Sequence, residues 1–251
     1  MKTLVNAITI CLLFTSILSG FAQKKGKSTF VIVHGAFGGA WAFKKVDSLL
    51  TANGHKVYRP TLTGLGERAH LSSADITLST HILDVVNVIL YEDLHDVTLI
   101  GHSYGGMVIT GVSDTLAGRI KKLIYLDAMV PEDGESAVTS RHTPGYKPAY
   151  QEINGMIVPS WLKAGAKIPH DHPQPAKTFK DTLHLHNKLA TKIPAAYIHT
   201  VERDQKAEED NFSFYAERAR KRKWKVVEME ADHNPQWSKP NELVRLFEEN
   251  R

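Results

Sequence analysis

A five-residue stretch near the middle of the chain constrains the fold more than any other feature. Residues 101–105 read Gly-His-Ser-Tyr-Gly, which fits the pattern G-x-S-x-G, and Gly106 follows. The preceding residues 97–101 have the pattern of a buried strand, and residues 105–116 that of a helix. The glycines relieve crowding at a sharp turn that would raise the Ser103 hydroxyl above the sheet, where the helix start favours negative charge. This arrangement predicts an α/β fold with Ser103 as a candidate nucleophile.

Apolar runs of strand length alternate with helical patterns along most of the chain. Such alternation predicts a mostly parallel sheet whose strands are joined by right-handed crossovers. Strands are predicted at residues 29–33, 55–59, 97–101, 120–127, 195–200 and 225–229. Helices are predicted at residues 41–52, 77–92, 105–116, 211–220 and 239–249. Residues 23–251 are therefore interpreted as one α/β domain.

The alternation is interrupted between about residues 131 and 194. This stretch is rich in His, Pro, Lys and Gly, has no clear strand pattern and is too long for a simple loop, so it is interpreted as an inserted helical cap. Residues 170–172 (His-Asp-His) and 184–186 (His-Leu-His) contain pairs of side chains that can bind a metal. Because no third ligand stands in register with either pair, a polar cap surface is the preferred interpretation, and no metal site is predicted.

The first 22 residues have the layout of a secretory signal peptide. Lys2 is followed by an uncharged, mostly apolar run at residues 4–18, and Gly20-Phe21-Ala22 places small residues before a cleavage site. The run is shorter than the ~20 residues that a membrane-spanning helix needs, so export with cleavage near Ala22 is favoured over a lasting anchor. The one cysteine, Cys11, lies in this leader. A periplasmic or secreted mature protein without thiol or disulfide chemistry is predicted.

Composition and charge exclude a disordered protein but few classes of function. With 31 basic and 27 acidic residues, the net charge is +4. Such a small excess gives no indication of a nucleic-acid partner.

A serine hydroxyl is a weak nucleophile at neutral pH and needs a base and an anion-binding site. His233 directly follows the last predicted strand, and we interpret it as the general base. One backbone N–H of the oxyanion hole is expected from Tyr104, the residue after the nucleophile. The second is expected from the turn after the first strand, with Ala36 as the first choice and Phe37 as the alternative.

Two carboxylates compete for the role of the acid that orients His233. Asp127 ends the strand that follows the nucleophile helix, at the carboxyl edge of the sheet. Asp204 follows the strand at 195–200, but it stands in a strongly charged stretch typical of a solvated loop. Asp127 is favoured and Asp204 is second, while Asp232 adjoins the base with a side chain expected to point away.

Four motifs together resemble those of α/β-hydrolases. They are Val-His-Gly-Ala with Gly-Gly-Ala-Trp at residues 33–41, Pro-Thr-Leu-Thr-Gly-Leu-Gly-Glu-Arg at 60–68, Gly-His-Ser-Tyr-Gly-Gly-Met at 101–107 and Tyr-Leu-Asp-Ala-Met-Val-Pro at 125–131. The similarity is to bacterial serine esterases related to plant methylesterases and hydroxynitrile lyases. It implies a doubly wound sheet, a small cap, cofactor-free chemistry, and Ser103 and His233 as nucleophile and base. The Tyr-Leu-Asp-Ala motif supports Asp127, because Arg203 stands where the plant relatives have their acid.

The predicted function is an exported serine esterase that cleaves small-molecule carboxylic esters or lactones through an acyl-enzyme. Phe37, Met129 and Trp161, with Tyr104, are candidate pocket walls. The resemblance extends to exported esterases that open macrolide lactone rings, an antibiotic-resistance activity. The cap residues that would suit such a large oxygenated substrate are His142, Tyr146, Tyr150 and Trp161.

Two other functions are kept as alternatives. A hydroxynitrile lyase is one, although Asn234 and Val31 stand where lyases of this kind have Lys and Thr. A homologue that binds a ligand without turnover is the other, since fold alone does not determine function. The sequence does not indicate the oligomeric state.

Overall fold

The computed structural model of the protein describes residues 26–141 and 148–251. The predicted signal peptide, Cys11, His142 and Tyr146 lie outside the described residues. The strands are β1 (Thr29–Val33), β2 (Lys56–Tyr58), β3 (Val97–His102), β4 (Ile120–Leu126), β5 (Tyr150–Ile153), β6 (Met156–Pro159), β7 (Gln174–Pro175), β8 (Ala195–Val201) and β9 (Lys225–Glu230). The α-helices are α1 (Lys44–Ala52), α2 (Leu78–Tyr91), α3 (Gly105–Thr115), α4 (Lys177–Lys180), α5 (Ser213–Lys221), α6 (Pro235–Ser238) and α7 (Pro240–Asn250).

The central sheet has six parallel strands in the order β2-β1-β3-β4-β8-β9. The chain therefore leaves β1 towards one edge and then returns to add β3, β4, β8 and β9 on the other side of β1. Ligand sites in open α/β sheets lie at the carboxyl end of the strands where the order reverses in this way. The turn that carries Ser103 follows β3, at this reversal point.

Helices cover both faces of the sheet, which confirms the predicted α/β fold. Alternate residues of β1 point to opposite cores, Val31 and Val33 to one and Phe30 and Ile32 to the other. The first core includes side chains from α2, α3 and α5: Val85, Ile89, Val108, Val112 and Ala216. The second includes side chains from α1 and α7: Val46, Leu50, Leu243 and Phe247. Burial on both faces is why the central strands read as continuous apolar runs.

The chain between β4 and β8 includes residues 131–194, here called the cap segment. Its described part contains a three-stranded antiparallel sheet, β5-β6-β7, and one four-residue α-helix, α4. The predicted helical cap is therefore wrong for this part. Asn154 (φ 50°) and Gly155 (φ 75°) form the tight turn between β5 and β6, the kind of Asn-Gly turn that hairpins use. The strands have two to four residues, too few for a periodic pattern to show in the sequence.

Within the described ranges, none of the helices has both the length and the apolar character needed to cross a bilayer.

Candidate active site

The turn between β3 and α3 holds Ser103 in a strained conformation. Ser103 has φ of 54°, in the left-handed region that L-residues rarely adopt. A Cβ on Gly101 would lie 2.6 Å from the Gly105 carbonyl oxygen, and one on Gly105 would lie 2.7 Å from the Val33 carbonyl oxygen. Both contacts are with backbone that cannot move aside, so only glycine fits at either position. The packing of this turn keeps the Ser103 hydroxyl at the sheet edge.

The structure brings together three of the residues singled out in the sequence. The Ser103 Oγ lies 3.0 Å from His233 Nε2, and His233 Nδ1 lies 2.6 Å from Asp127 Oδ2. The Asp127 side chain is buried, and its other oxygen accepts a hydrogen bond from the Thr200 N–H at 3.3 Å. Asp204 is exposed in the turn after β8. Of the two candidate acids, Asp127 is the one that touches the histidine.

Two aromatic neighbours that the sequence did not single out hold His233 in place. The Phe212 ring stacks on the His233 ring with centroids 4.7 Å apart and an interplanar angle of 18°. His102, the variable residue before Ser103, donates its Nε2–H to the His233 carbonyl at 2.8 Å. Burial lowers the pKa of His102 from 6.5 to about 3. A neutral imidazole therefore anchors the loop that carries His233.

The second buried histidine at the site, His34, is also neutral. Its Nε2 accepts the Leu62 N–H at 3.1 Å, so its Nδ1 carries the proton and donates to the Gly35 carbonyl at 2.7 Å. Burial lowers the pKa of His34 to about 4. This bonding joins the turn after β1, which includes Ala36, to the loop after β2.

The backbone N–H groups of Ala36 and Tyr104 are placed to receive negative charge. Both residues line the same cavity as Ser103 and His233. Within residues 26–141 and 148–251, no hydrogen-bond acceptor contacts either N–H. The alternative donor, Phe37, does not meet this condition, because its N–H donates to Gln174 Oε1 at 2.9 Å. Phe37 as a donor is therefore corrected: its N–H is already engaged.

Gln174 was not found by sequence reasoning. Its side chain comes from β7 in the cap segment and is fully buried. While its Oε1 accepts from Phe37, its Nε2–H donates to Thr178 Oγ1 at 2.9 Å. Phe37 itself has φ of 66°, so the turn after β1 is strained. The amide thus holds the turn that presents the Ala36 N–H, and a lone glutamine in an irregular segment gave no sign of this.

A cavity of about 310 Å³ lies over Ser103, between the sheet edge and the cap segment. All of the residues predicted as pocket walls line it: Phe37, Tyr104, Met129 and Trp161. Tyr150, Phe179 and Phe212 add further aromatic surface. Polar and charged side chains line it as well, among them Arg141, Glu202 and Asp210. Aromatic surface and polar groups thus converge on Ser103, as in other small-molecule sites.

The histidine pairs of the cap segment do not form a metal centre with a third ligand among the described residues. The described residues that do gather three donor atoms within 4.8 Å of one another are Asp127, His199 and Asp210. Asp127 Oδ2 holds His233, and His199 Nε2 lies 3.1 Å from Asp210 Oδ1. These atoms already have partners within the protein.

Comparison with known proteins agrees with this geometry. The model of the alpha/beta hydrolase family matches residues 30–246. The chain belongs to the α/β hydrolase family. This result confirms the resemblance found in the sequence motifs.

The relatives of this α/β hydrolase include named esterases. It is 55% identical over 109 residues to the carbendazim hydrolyzing esterase of Nocardioides sp., a match covering 43% of this chain and 45% of that protein. It is 30% identical over 127 residues to methylesterase 2 of Arabidopsis thaliana, covering 50% of this chain and 46% of that protein. The matches thus span less than half the length of either relative.

Solved structures show the same fold. An extracellular alpha/beta-hydrolase from a Paenibacillus species aligns with a TM-score of 0.71 and 24% identity, over 89% of this chain and 98% of that one. A pyrethroid hydrolase from Sphingobium faniae aligns with a TM-score of 0.71 and 21% identity, over 89% of this chain and 97% of that one.

Proposed function

We propose that this α/β hydrolase is an exported serine esterase that cleaves carboxylic esters or lactones through an acyl-enzyme. The observation that carries the proposal is the unbroken hydrogen-bond chain from Asp127 through His233 to Ser103, at the base of a cavity with two unengaged backbone N–H groups. Relatives named as esterases support the same reaction class.

In the first half of the reaction, the Ser103 Oγ attacks the ester carbonyl carbon while His233 Nε2 takes the hydroxyl proton. The carbonyl oxygen becomes an oxyanion, which accepts hydrogen bonds from the Ala36 and Tyr104 N–H groups. Asp127 keeps the Nδ1–H of His233 directed at itself and stabilises the imidazolium. When the tetrahedral intermediate collapses, His233 returns the proton to the departing alkoxide, and the acyl group stays on Ser103.

In the second half, a water molecule takes the place of the alcohol. His233 removes a proton from the water as its oxygen attacks the acyl carbon, and the same two N–H groups hold the new oxyanion. Collapse breaks the bond to Ser103 and returns the proton to its Oγ, and the carboxylic acid is released. Side chains and backbone groups of the chain carry every step, so the proposed reaction uses no cofactor.

Export and the lactone substrate are each supported by a separate observation. Residues 1–22 have the composition of a cleaved leader. Tyr150 and Trp161, two of the aromatic cap residues, line the cavity over Ser103, which suits a bulky oxygenated substrate such as a macrolide lactone. For the lyase alternative, Val31 is buried inside β1 and Asn234 follows His233, so the two positions where lyases of this kind have Thr and Lys hold neither residue here. No observation favours the lyase.

Replacing the nucleophile tests the proposal. Ser103→Ala should lower turnover of p-nitrophenyl butanoate by roughly 10⁶-fold, the scale known for loss of a serine nucleophile. It should also abolish labelling by a fluorophosphonate probe, and wild-type protein quenched during turnover should show the mass of one added butanoyl group. Ser79→Ala, an exposed serine in the first turn of α2, is the matched control and should behave as wild type. Turnover retained by Ser103→Ala would refute the mechanism, and an unlabelled wild-type serine would favour ligand binding without catalysis.

A further inference from the structure

A second cavity adjoins Ser103 on the side away from β8. It has a volume of about 480 Å³ and is lined by three of the four tryptophans of the chain, Trp41, Trp161 and Trp237. We call it the tryptophan trough. The acylation and deacylation steps of the proposed reaction make no use of it.

The exposed walls of the trough are held in fixed orientations. Trp237 donates its Nε1–H to the Ala42 carbonyl at 3.0 Å and stacks on Trp41, with centroids 5.7 Å apart at 13°. On the opposite wall, Trp161 donates its Nε1–H to Asp171 Oδ2 at 2.7 Å. Yet Trp237 is 52% exposed and Trp161 is 51% exposed. Large aromatic faces left open to solvent, with their polar atoms already bonded, are typical of a surface that receives an apolar ligand.

The trough is continuous with the cavity over Ser103. Five residues line both: Ala36, Phe37, Ser103, Trp161 and His233. The two parts of an ester extend in different directions from the carbonyl carbon. When that carbon lies at Ser103 Oγ, the cavity under the cap segment has room for one part, and the other part extends into the trough.

Product release decides which part occupies the trough. The alcohol must leave while the acyl group is still attached to Ser103, so its route cannot pass through the acyl site. The half-exposed indoles of Trp161 and Trp237 leave the trough open to solvent, so it offers such a route. The cavity under the cap segment, which Tyr104 lines, is then left for the acyl part.

We propose that the tryptophan trough binds the alcohol part of the substrate and selects esters of flat, aromatic alcohols over esters of small alkyl alcohols. The inference rests on the proposed esterase function. Stacking between an aryl group and the Trp237 face would act in the Michaelis complex and in the acylation transition state, so it raises kcat/KM for esters with such an alcohol.

A pair of esters with the same acid isolates this effect. Naphthylethyl butanoate and ethyl butanoate form the same acyl-enzyme, and their primary alkoxide leaving groups have similar basicity. We expect wild type to prefer the naphthylethyl ester. Trp237→Ala should lower the ratio of kcat/KM for the naphthylethyl ester to kcat/KM for ethyl butanoate by about tenfold, the scale of one lost aromatic stacking contact.

The controls separate stacking from damage to the fold. Trp237→Phe keeps an aromatic face without the Nε1–H and should retain most of the preference, and thermal unfolding of each variant reports on stability. Tyr91→Ala, which removes a 90% exposed aromatic side chain at the end of α2, should change kcat/KM for neither butanoate. With ethyl naphthylacetate, in which the aromatic group belongs to the acid, Trp237→Ala should change kcat/KM by the same factor as with ethyl butanoate.

The outcomes distinguish the two proposals. If wild type hydrolyses none of these esters at Ser103, the esterase function itself fails. If it hydrolyses ethyl butanoate but Trp237→Ala leaves the preference between the two butanoates intact, the trough inference fails alone. A loss confined to ethyl naphthylacetate would overturn the assignment of the trough to the alcohol.

Discussion

Two regions form the site, and each is held in place by a different kind of hydrogen bond. The strand-end edge comprises the turns after β1, β3 and β4, with Ala36, Ser103 and Asp127. Its geometry is set by backbone hydrogen bonds, such as Ser103 N–H to the Leu126 carbonyl at 3.2 Å and Asp127 N–H to the Ile198 carbonyl at 2.7 Å. The second region is the cap segment. Two of its side-chain oxygens accept hydrogen bonds from backbone N–H groups in the rest of the chain: Gln174 Oε1 from Phe37, and Asp181 Oδ2 from Leu78 at 3.1 Å.

This difference separates the roles of the two regions. Main-chain hydrogen bonds between strands are unaffected by most substitutions, so the strand-end edge keeps its geometry as the sequence varies. The cap segment is attached mainly through side chains, including Gln174, Asp181 and buried apolar residues such as Phe179, beside backbone bonds such as that from the His172 N–H to the Phe37 carbonyl at 2.8 Å. Because side chains can be replaced, the cap segment can change with the substrate. The chemistry therefore belongs to the strand-end edge, and the shape of the site depends largely on the cap segment.

The largest expected effect tests the strand-end edge. Asp127→Asn should lower kcat by about 10⁴-fold with little loss of stability, since asparagine fits the same space but favours the wrong tautomer of His233. Steady-state kinetics with p-nitrophenyl butanoate measures the change. Asp204→Asn is the matched control, because Asp204 is exposed and follows β8, and it should retain wild-type kcat. A severe loss in Asp204→Asn with a mild one in Asp127→Asn would reverse the assignment of the acid.

The same two regions differ in how far the sequence predicts them. The turn at Ser103, the placement of Asp127 after β4 and the position of His233 after β9 follow from regular elements, because parallel strands end at one common edge. Each strand predicted for the central sheet is present, and so is each predicted helix that flanks it, with boundaries that differ by only a few residues. Periodic burial over a long segment is a strong signal.

The missed features depend on contacts between residues far apart in the chain. Gln174 meets Phe37 across 137 positions, and Phe212 stacks on His233 from the loop before α5. Neither residue belongs to a motif. Gln174 lies in a stretch with no periodic pattern, and the helical pattern of residues 211–220 does not show that Phe212 contacts His233. His102 could have been recognised, since it lies within the G-x-S-x-G motif, but the position is variable in that pattern. Tertiary structure was needed to assign it a partner.

An intermediate effect tests the link between the two regions. Gln174→Leu should lower kcat by about 10- to 100-fold while KM changes little, because the unpaired Phe37 N–H lets the turn that carries the Ala36 N–H shift from the oxyanion. Affinity for a boronic acid that mimics the tetrahedral intermediate should fall in parallel, while affinity for the product acid should hold.

Thr178→Val is the matched control for this prediction. It removes the other partner of the Gln174 amide but leaves Oε1 free to accept from Phe37. Its kcat should stay close to that of wild type even if the cap segment becomes less stable. Equal losses of kcat in the two variants would mean that Gln174 acts through the stability of the cap segment and does not position the oxyanion donor.

The smallest effect concerns stability at the strand-end edge and its dependence on pH. His102 is buried and neutral in the folded protein, with its pKa lowered from 6.5 to about 3. The groups that act on it are its partner His233 and the nearby His34. Below about pH 6.5 the unfolded chain binds a proton at this position that the folded chain does not, so acidification favours unfolding. Above that pH the residue is neutral in both states and its contribution to the pH dependence vanishes.

His102→Gln isolates this contribution, because the Gln amide can donate to the His233 carbonyl as Nε2–H does but does not titrate. Urea unfolding of both proteins between about pH 4 and pH 6 should show wild type losing stability relative to the variant by about 1 kcal/mol per pH unit as the pH falls. At pH 7 and above, the difference should be constant. Parallel curves through the acidic range would mean that His102 is protonated in the folded protein as well. The loop that carries His233 would then be held by an imidazolium, and the strand-end edge would contain a buried positive charge next to the general base.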